Sequence, residues 1–148
     1  DWSPDPLVLL QALNQRLLGR GDAKATCLVL RIDADGGATL ANAGHLPPYL
    51  NGEPLAMEGS LPLGMIDDAD FSVMRFQVAV RDRLMLMSDG IVEATDANGK
   101  LFGFERVQAL LAMAGSAAEV ANAAQAFGQE DDISVIAVTR MTPQPSIA

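Results

Sequence analysis

Residues 82–96, Asp-Arg-Leu-Met-Leu-Met-Ser-Asp-Gly-Ile-Val-Glu-Ala-Thr-Asp, put a carboxylate where chemistry is possible. Leu84 to Met87 is an unbroken apolar run and reads as a short buried strand. It ends in Ser88-Asp89-Gly90. An aspartate at the mouth of such a strand has three readings. Asp-Gly is ordinary turn chemistry, because Gly accepts positive φ and Asp bonds nearby backbone amides. Ser88 or Asp89 can cap a helix that starts near Ile91. A hard cation such as Mg²⁺ or Mn²⁺ is held by one or two carboxylates plus water.

A second β-branched run, Ile133 to Thr139, follows Asp131-Asp132. If the two strands are neighbours, Asp89, Asp131 and Asp132 meet at one edge of a sheet. Carboxylates gathered away from Lys and Arg are costly unless cations neutralise them, and oxygen-only ligation selects Mg²⁺ or Mn²⁺. Against this stands the plain reading of acidic loops in an acidic chain.

The other polar candidates have structural alternatives. His45, the only histidine, lies between Gly44 and Pro47-Pro48. It can act as a general base or metal ligand, or hold a tight loop by hydrogen bonds. Asp33 and Asp35 beside Gly36-Gly37 hint at a calcium loop, but the downstream ligands and closing Glu are missing, so they read as a hairpin turn. Asp67, Asp68 and Asp70 read as a solvated acidic loop, with cation binding the alternative. Cys27, the single cysteine, sits in an apolar run as a small buried hydrophobe, and a disulfide framework is excluded.

Composition bounds the rest. With 148 residues, 49% hydrophobic, the chain reads as one globular domain or a large part of one. A net charge of −9 without a Lys/Arg cluster argues against nucleic acid and anionic membrane as partners. No apolar run has membrane-span length and no signal pattern opens the chain, so a cytoplasmic location is expected. The opening at Asp1 reads as a piece cut from a longer protein.

The elements follow from periodicity and punctuation. Leu7, Leu10, Leu13, Leu17 and Leu18 predict a helix over 6–18, with Ser3-Pro4 and Pro6 as start signals; Trp2 is a staple or an exposed anchor. Strands are predicted at 26–32 and 38–43, joined by a turn at 33–37. Asn51-Gly52 signals a type I′ turn, and 51–70 reads as loop-rich. Residues 71–80 alternate with a phase break near Met74-Arg75, which predicts a half-buried, bulged strand. One helical turn is expected at 91–95. A helix over 104–114 turns Val107, Leu110, Leu111 and Met113 inward and stops at Gly115. Another over 117–127 carries a Ser116-x-x-Glu119 capping box. The tail, 141–148, reads as disordered.

Taken in order, Ala41-Asn42-Ala43-Gly44-His45-Leu46-Pro47-Pro48, Leu61-Pro62-Leu63-Gly64, Ser88-Asp89-Gly90-Ile91-Val92-Glu93-Ala94, Phe102-Gly103 and Asp131-Asp132-Ile133-Ser134 resemble the SpoIIE-type bacterial branch of the metal-dependent Ser/Thr protein phosphatases (PPM). Leu13-Asn14 and Ala25-Thr26-Cys27 fit the same alignment, which runs from about residue 4 to 140. The resemblance implies an α+β fold: a β-sandwich flanked by helices in α-β-β-α layers, a domain over 1–140 whose N-terminal strands are missing. It implies metal-binding roles for Asp89, Asp131 and Asp132, with Gly44, His45, Gly90 and Glu93 as structural residues near the site. Two Mn²⁺ or Mg²⁺ ions in the complete domain would activate a water that attacks phosphoserine or phosphothreonine. The implied substrate is a small STAS-type anti-sigma-factor antagonist, under an N-terminal sensor or receiver domain. The family's Gly-Asp-Phe-Tyr-Asp-like and Gly-Asp-Val-x-Gly-His-Gly-like stretches do not occur here. Three aspartates are too few for two ions, each wanting about six oxygens, so the chain alone is expected to bind Mn²⁺ weakly and to be inactive. Unpaired sheet edges would press it toward a homodimer. The alternative is a non-catalytic, phosphatase-like protein-binding module.

Overall fold

The computed structural model describes residues 5–128 and 130–142. Trp2 and most of the tail read as disordered lie outside the described residues. The chain divides into two compact units, one holding residues up to His45 together with Ala56–Val78, the other Leu46–Leu55 and the residues from Ala79 onward.

In the first unit, helix α1 (Pro6–Leu18) starts where the sequence predicts, but its cap is Asp5, whose carboxylate accepts the Leu7 N–H at 2.8 Å. Pro6 follows at the first helical position, where no N–H is needed. Strands β1 (Cys27–Ile32), β2 (Gly37–Ala43) and β5 (Ser72–Gln77) form an antiparallel sheet in the order β1-β2-β5. Leu10 of α1 packs with Ala41, Ala43, Leu63, Ala69 and Phe71, and Cys27 and Val29 lie against this cluster. Cys27, expected to be buried, is half-buried, and that burial pushes its thiol pKa up.

The strand predicted over 71–80 is shorter and has no bulge. Its register runs unbroken from Asn42↔Ser72 to Gly37↔Gln77. Ser72, Met74 and Phe76 form the more buried face, while Val73 is 37% exposed. The broken phase in the sequence arises because Phe71 and Val78 are buried just outside the strand, Phe71 in the cluster with Leu10, Ala41 and Ala43.

The second unit holds the sheet β4-β3-β6-β7, built from β3 (Tyr49–Leu50), β4 (Glu53–Pro54), β6 (Arg83–Met87) and β7 (Val135–Thr139), all antiparallel. Asn51 and Gly52, at φ 53° and 90°, make the predicted tight turn between β3 and β4. Helices α2 (Gly90–Glu93), α3 (Gly103–Ala112) and α4 (Ala117–Phe127) bury Ile91, Val92, Val107, Leu111, Val120 and Ala124 with Met85 and Met87 in one core. The α4 capping box is present in both directions. Met113, predicted inward, is 76% exposed, because α3 ends at Ala112 and Ala114 turns left-handed at φ 59°. Among the described residues no helix is long and apolar enough to cross a membrane.

Candidate metal centre

The condition set by the sequence is met: β6 and β7 are antiparallel neighbours, with Met87 opposite Val135 and Leu86 opposite Ile136. Asp89 follows the end of β6 and Asp131-Asp132 precede the start of β7, so antiparallel pairing brings them to one end of the sheet. Past the last strand pair the ladder is continued by Ser88. Its N–H donates to the Ser134 carbonyl at 2.9 Å, and its Oγ accepts the Ser134 N–H at 2.9 Å.

Asp89 is the cap of α2, accepting the Gly90 N–H on Oδ1 at 3.0 Å. The capping interaction and the exposed position coexist, since one carboxylate oxygen remains available. Gly90 is required by crowding rather than by φ: a Cβ there would stand 2.8 Å from the Asp132 carbonyl oxygen. This close approach lets the α2 start and the Asp131-Asp132 segment lie side by side. Asp131 accepts the Asp132 N–H on Oδ1 at 2.8 Å, and both aspartates are exposed. No Lys or Arg among the described residues pairs with Asp89, Asp131 or Asp132.

The segment that carries these aspartates is anchored from behind. Phe127 at the end of α4 meets Phe102 edge-on at 5.4 Å, and the Arg106 guanidinium lies 4.7 Å from the Phe127 ring centre. Arg106 also donates to the Leu101 and Phe102 carbonyls at 3.0 and 2.8 Å. Gly128, at φ 130°, then passes so close to the Thr95 carbonyl that no Cβ fits. A cleft of about 120 Å³ results, lined by Gly90, Glu93, Thr95, Glu130 and Asp131 among others. Glu130 is the lining carboxylate that spacing arguments overlook; its place directly before Asp131-Asp132 was the available signal. Glu93 stands one turn after Asp89, its N–H bonded to the Asp89 carbonyl at 3.0 Å.

Hard oxygen donors are the right chemistry for Mg²⁺ or Mn²⁺. Yet among the described residues no three His, Cys, Asp or Glu side chains gather closely enough to hold an ion. The carboxylates present therefore do not fit a complete metal centre by themselves.

In the first unit, the Asn42 side chain spans the turn before His45, accepting the His45 N–H and donating to the His45 carbonyl, each at 2.8 Å. Ser60 Oγ donates to the Asn42 carbonyl at 2.6 Å and accepts the Gly44 N–H at 3.3 Å. Gly44, at φ 68°, leaves no room for a Cβ against Pro62. The motif Ala41 to His45 thus builds a closed loop.

The sequence profile of the family Stage II sporulation protein E (SpoIIE) matches residues 2–141. The phosphatase domain of the cell fate determinant SpoIIE from Bacillus subtilis, in an Mn-presoaked crystal, is 23% identical with a TM-score of 0.63, covering 100% of this chain and 72% of that one. The RsbU and RsbW domains of a Mycobacterium tuberculosis protein are 19% identical with a TM-score of 0.75, over 97% of this chain and 44% of that one. The SiaA PP2C domain of Pseudomonas aeruginosa is 19% identical with a TM-score of 0.69, over 93% and 61%. No curated protein matches the chain in sequence. At these identities the structural likenesses establish the fold, a mixed α and β arrangement with two antiparallel sheets and helices. The profile match over nearly the whole chain establishes the family: the chain belongs to the SpoIIE-type PPM phosphatases.

Proposed function

We propose that this chain is part of an Mg²⁺- or Mn²⁺-dependent protein phosphatase acting on phosphoserine or phosphothreonine. Asp89, Asp131 and Asp132 are its contribution to the metal centre, and carboxylates from outside this chain complete it. The observation that carries the proposal is the β6–β7 pairing, which sets Asp89 and Asp131-Asp132 at the same sheet end with no cationic partner among the described residues. Membership of a phosphatase family and the Mn-presoaked relative support the same assignment. The substrate is proposed to be a phosphorylated STAS-type anti-sigma-factor antagonist in the cytoplasm, with an N-terminal sensor or receiver domain in control and a homodimer as the working form. The chain by itself is proposed to be inactive.

A second reading, a phosphatase-like module that binds protein without hydrolysis, is favoured by the absence of a gathered three-carboxylate set among the described residues. Calorimetric titration with Mn²⁺ separates the two. It would be run on this chain, on Asp89→Asn, and on a protein extended upstream. Tight binding in the extended protein alone, abolished by Asp89→Asn and accompanied by phosphate release from a phosphoserine-bearing STAS domain, supports the phosphatase. No Mn²⁺ binding in any of the three sinks it and leaves the binding module.

A further inference from the structure

Strand β5 pairs with β2 on one side only, so one edge of Ser72–Gln77 is free among the described residues. A groove of about 480 Å³ lies between its first half and residues 56–59. The second wall is unusual. Ala56, Met57, Glu58 and Gly59 make no hydrogen bond to any described residue, so their backbone donors and acceptors are unused within the described chain. Ser72, Val73 and Met74 of β5 line the other wall.

We propose that this groove is a docking surface for an extended, basic segment of a partner protein, which adds as a further strand beside β5. Strand addition fits because both walls present main-chain donors and acceptors, which give affinity to any extended peptide. The stretch from Asp70 to Met74 accommodates about four residues at about 3.3 Å each. Selectivity comes from side chains. Val73, exposed on the strand, offers an apolar contact to alternate residues of the incoming segment. Glu58 and Asp70 on opposite walls have no Lys or Arg partner among the described residues, and both favour Lys or Arg at the intervening positions. The chain's net charge of −9 steers such a segment toward the surface. The proposal is independent of phosphatase activity, since it rests on the edge strand and its facing wall alone.

The test is an NMR titration of the ¹⁵N-labelled full chain with a blocked six-residue peptide alternating valine and lysine. Its glutamate counterpart and a backbone N-methylated lysine peptide serve as comparators. Expected are saturable shifts of amides 56–59 and 70–77 with the lysine peptide, binding at least tenfold weaker in Glu58→Lys, and no comparable shifts with either comparator. Glu58 lies in an exposed loop, so folding of that variant is checked directly from its spectrum. Equal binding of the N-methylated peptide reduces the effect to bulk charge attraction and overturns strand addition. Shifts confined to other residues, or none at millimolar peptide, overturn the site. Self-association through amides 72–77 without peptide, seen as growing mass in light scattering, assigns the edge to a second copy and likewise overturns the proposal.

Discussion

Ser88 and Ser134 are joined by two hydrogen bonds, one through the Ser88 amide and one through its hydroxyl, each 2.9 Å long. A side chain thereby continues a backbone ladder for one more step, next to which Asp89 follows Ser88 and Asp131-Asp132 precede Ser134. Ser88→Ala removes the acceptor of the Ser134 N–H. The loss expected for one such bond is about 1 kcal/mol, read as a lower urea midpoint. Hydrogen exchange at the Ser134 amide should quicken more than exchange in the centre of β6, whereas uniform quickening would show that Ser88 has no local role.

Two glycines are tied to this end of the sheet. Gly90→Ala places a methyl 2.8 Å from the Asp132 carbonyl oxygen and 3.1 Å from Ile133 Cγ2. Overpacking of this kind costs about 1–3 kcal/mol, and the Asp132 and Ile133 amide resonances should move most. Gly128→Ala is expected to be worse, because crowding against Thr95 is joined by a φ of 130° that an L side chain rarely adopts. Urea denaturation of both variants checks the order, and a fully stable Gly128→Ala would refute the crowded passage.

Ala114 carries the left-handed turn after α3 at φ 59°, while Gly115 beside it has the bond from its N–H to the Leu110 carbonyl at 3.0 Å. Glycine at 115 is required by crowding, since a Cβ there would stand 2.8 Å from the Leu110 carbonyl oxygen, while the left-handed φ falls on Ala114. Ala114→Gly should stabilise the chain by about 0.4–1 kcal/mol, because glycine occupies this region without Cβ strain. Thermal unfolding should show a raised midpoint; a lowered one would mean that chain entropy outweighs the relieved strain.

Glu119 reports the α4 cap. The Ser116 N–H, 2.6 Å from its carboxylate, and then the Ser116 hydroxyl hold its pKa below the ordinary glutamate value. A lowered folded pKa means stability present above the unfolded pKa and lost as pH falls through the folded one. Thermal unfolding followed from about pH 6 to pH 3, bracketing ordinary glutamate ionisation, should show this loss in the parent and a smaller one in Glu119→Gln. Ser116→Ala should cost about 1 kcal/mol at neutral pH by removing the cap acceptor. Identical pH profiles for parent and Glu119→Gln would contradict the cap assignment.

Much of the fold was legible because local physics sufficed. The leucine spacing and Pro6 placed α1 at its observed limits, and Ser116-x-x-Glu119 placed α4 at its own. Asn51-Gly52 announced its turn, since few residue pairs accept two successive positive φ angles. The family was carried by short motifs in a fixed order, and the profile match over 2–141 agrees. The sequence also placed an aspartate at the end of one strand and a pair before another, because strand limits are local.

Tertiary structure decided the rest, for reasons of long-range packing. Strand pairing is set by contacts between distant residues, so only the β6–β7 register brought Asp89 and Asp131-Asp132 to one end of a sheet. The bulge expected near Met74-Arg75 is absent because Phe71 and Val78 are buried just outside the strand, Phe71 by α1 and β2 residues distant in sequence, which no periodicity discloses. Met113 faces outward because α3 stops short of it. The anchoring of the Asp131 segment by Arg106, Phe102 and Phe127 joins residues that periodicity treats separately. Residue types determined which groups could do chemistry here; only the folded backbone determined which of them stand together.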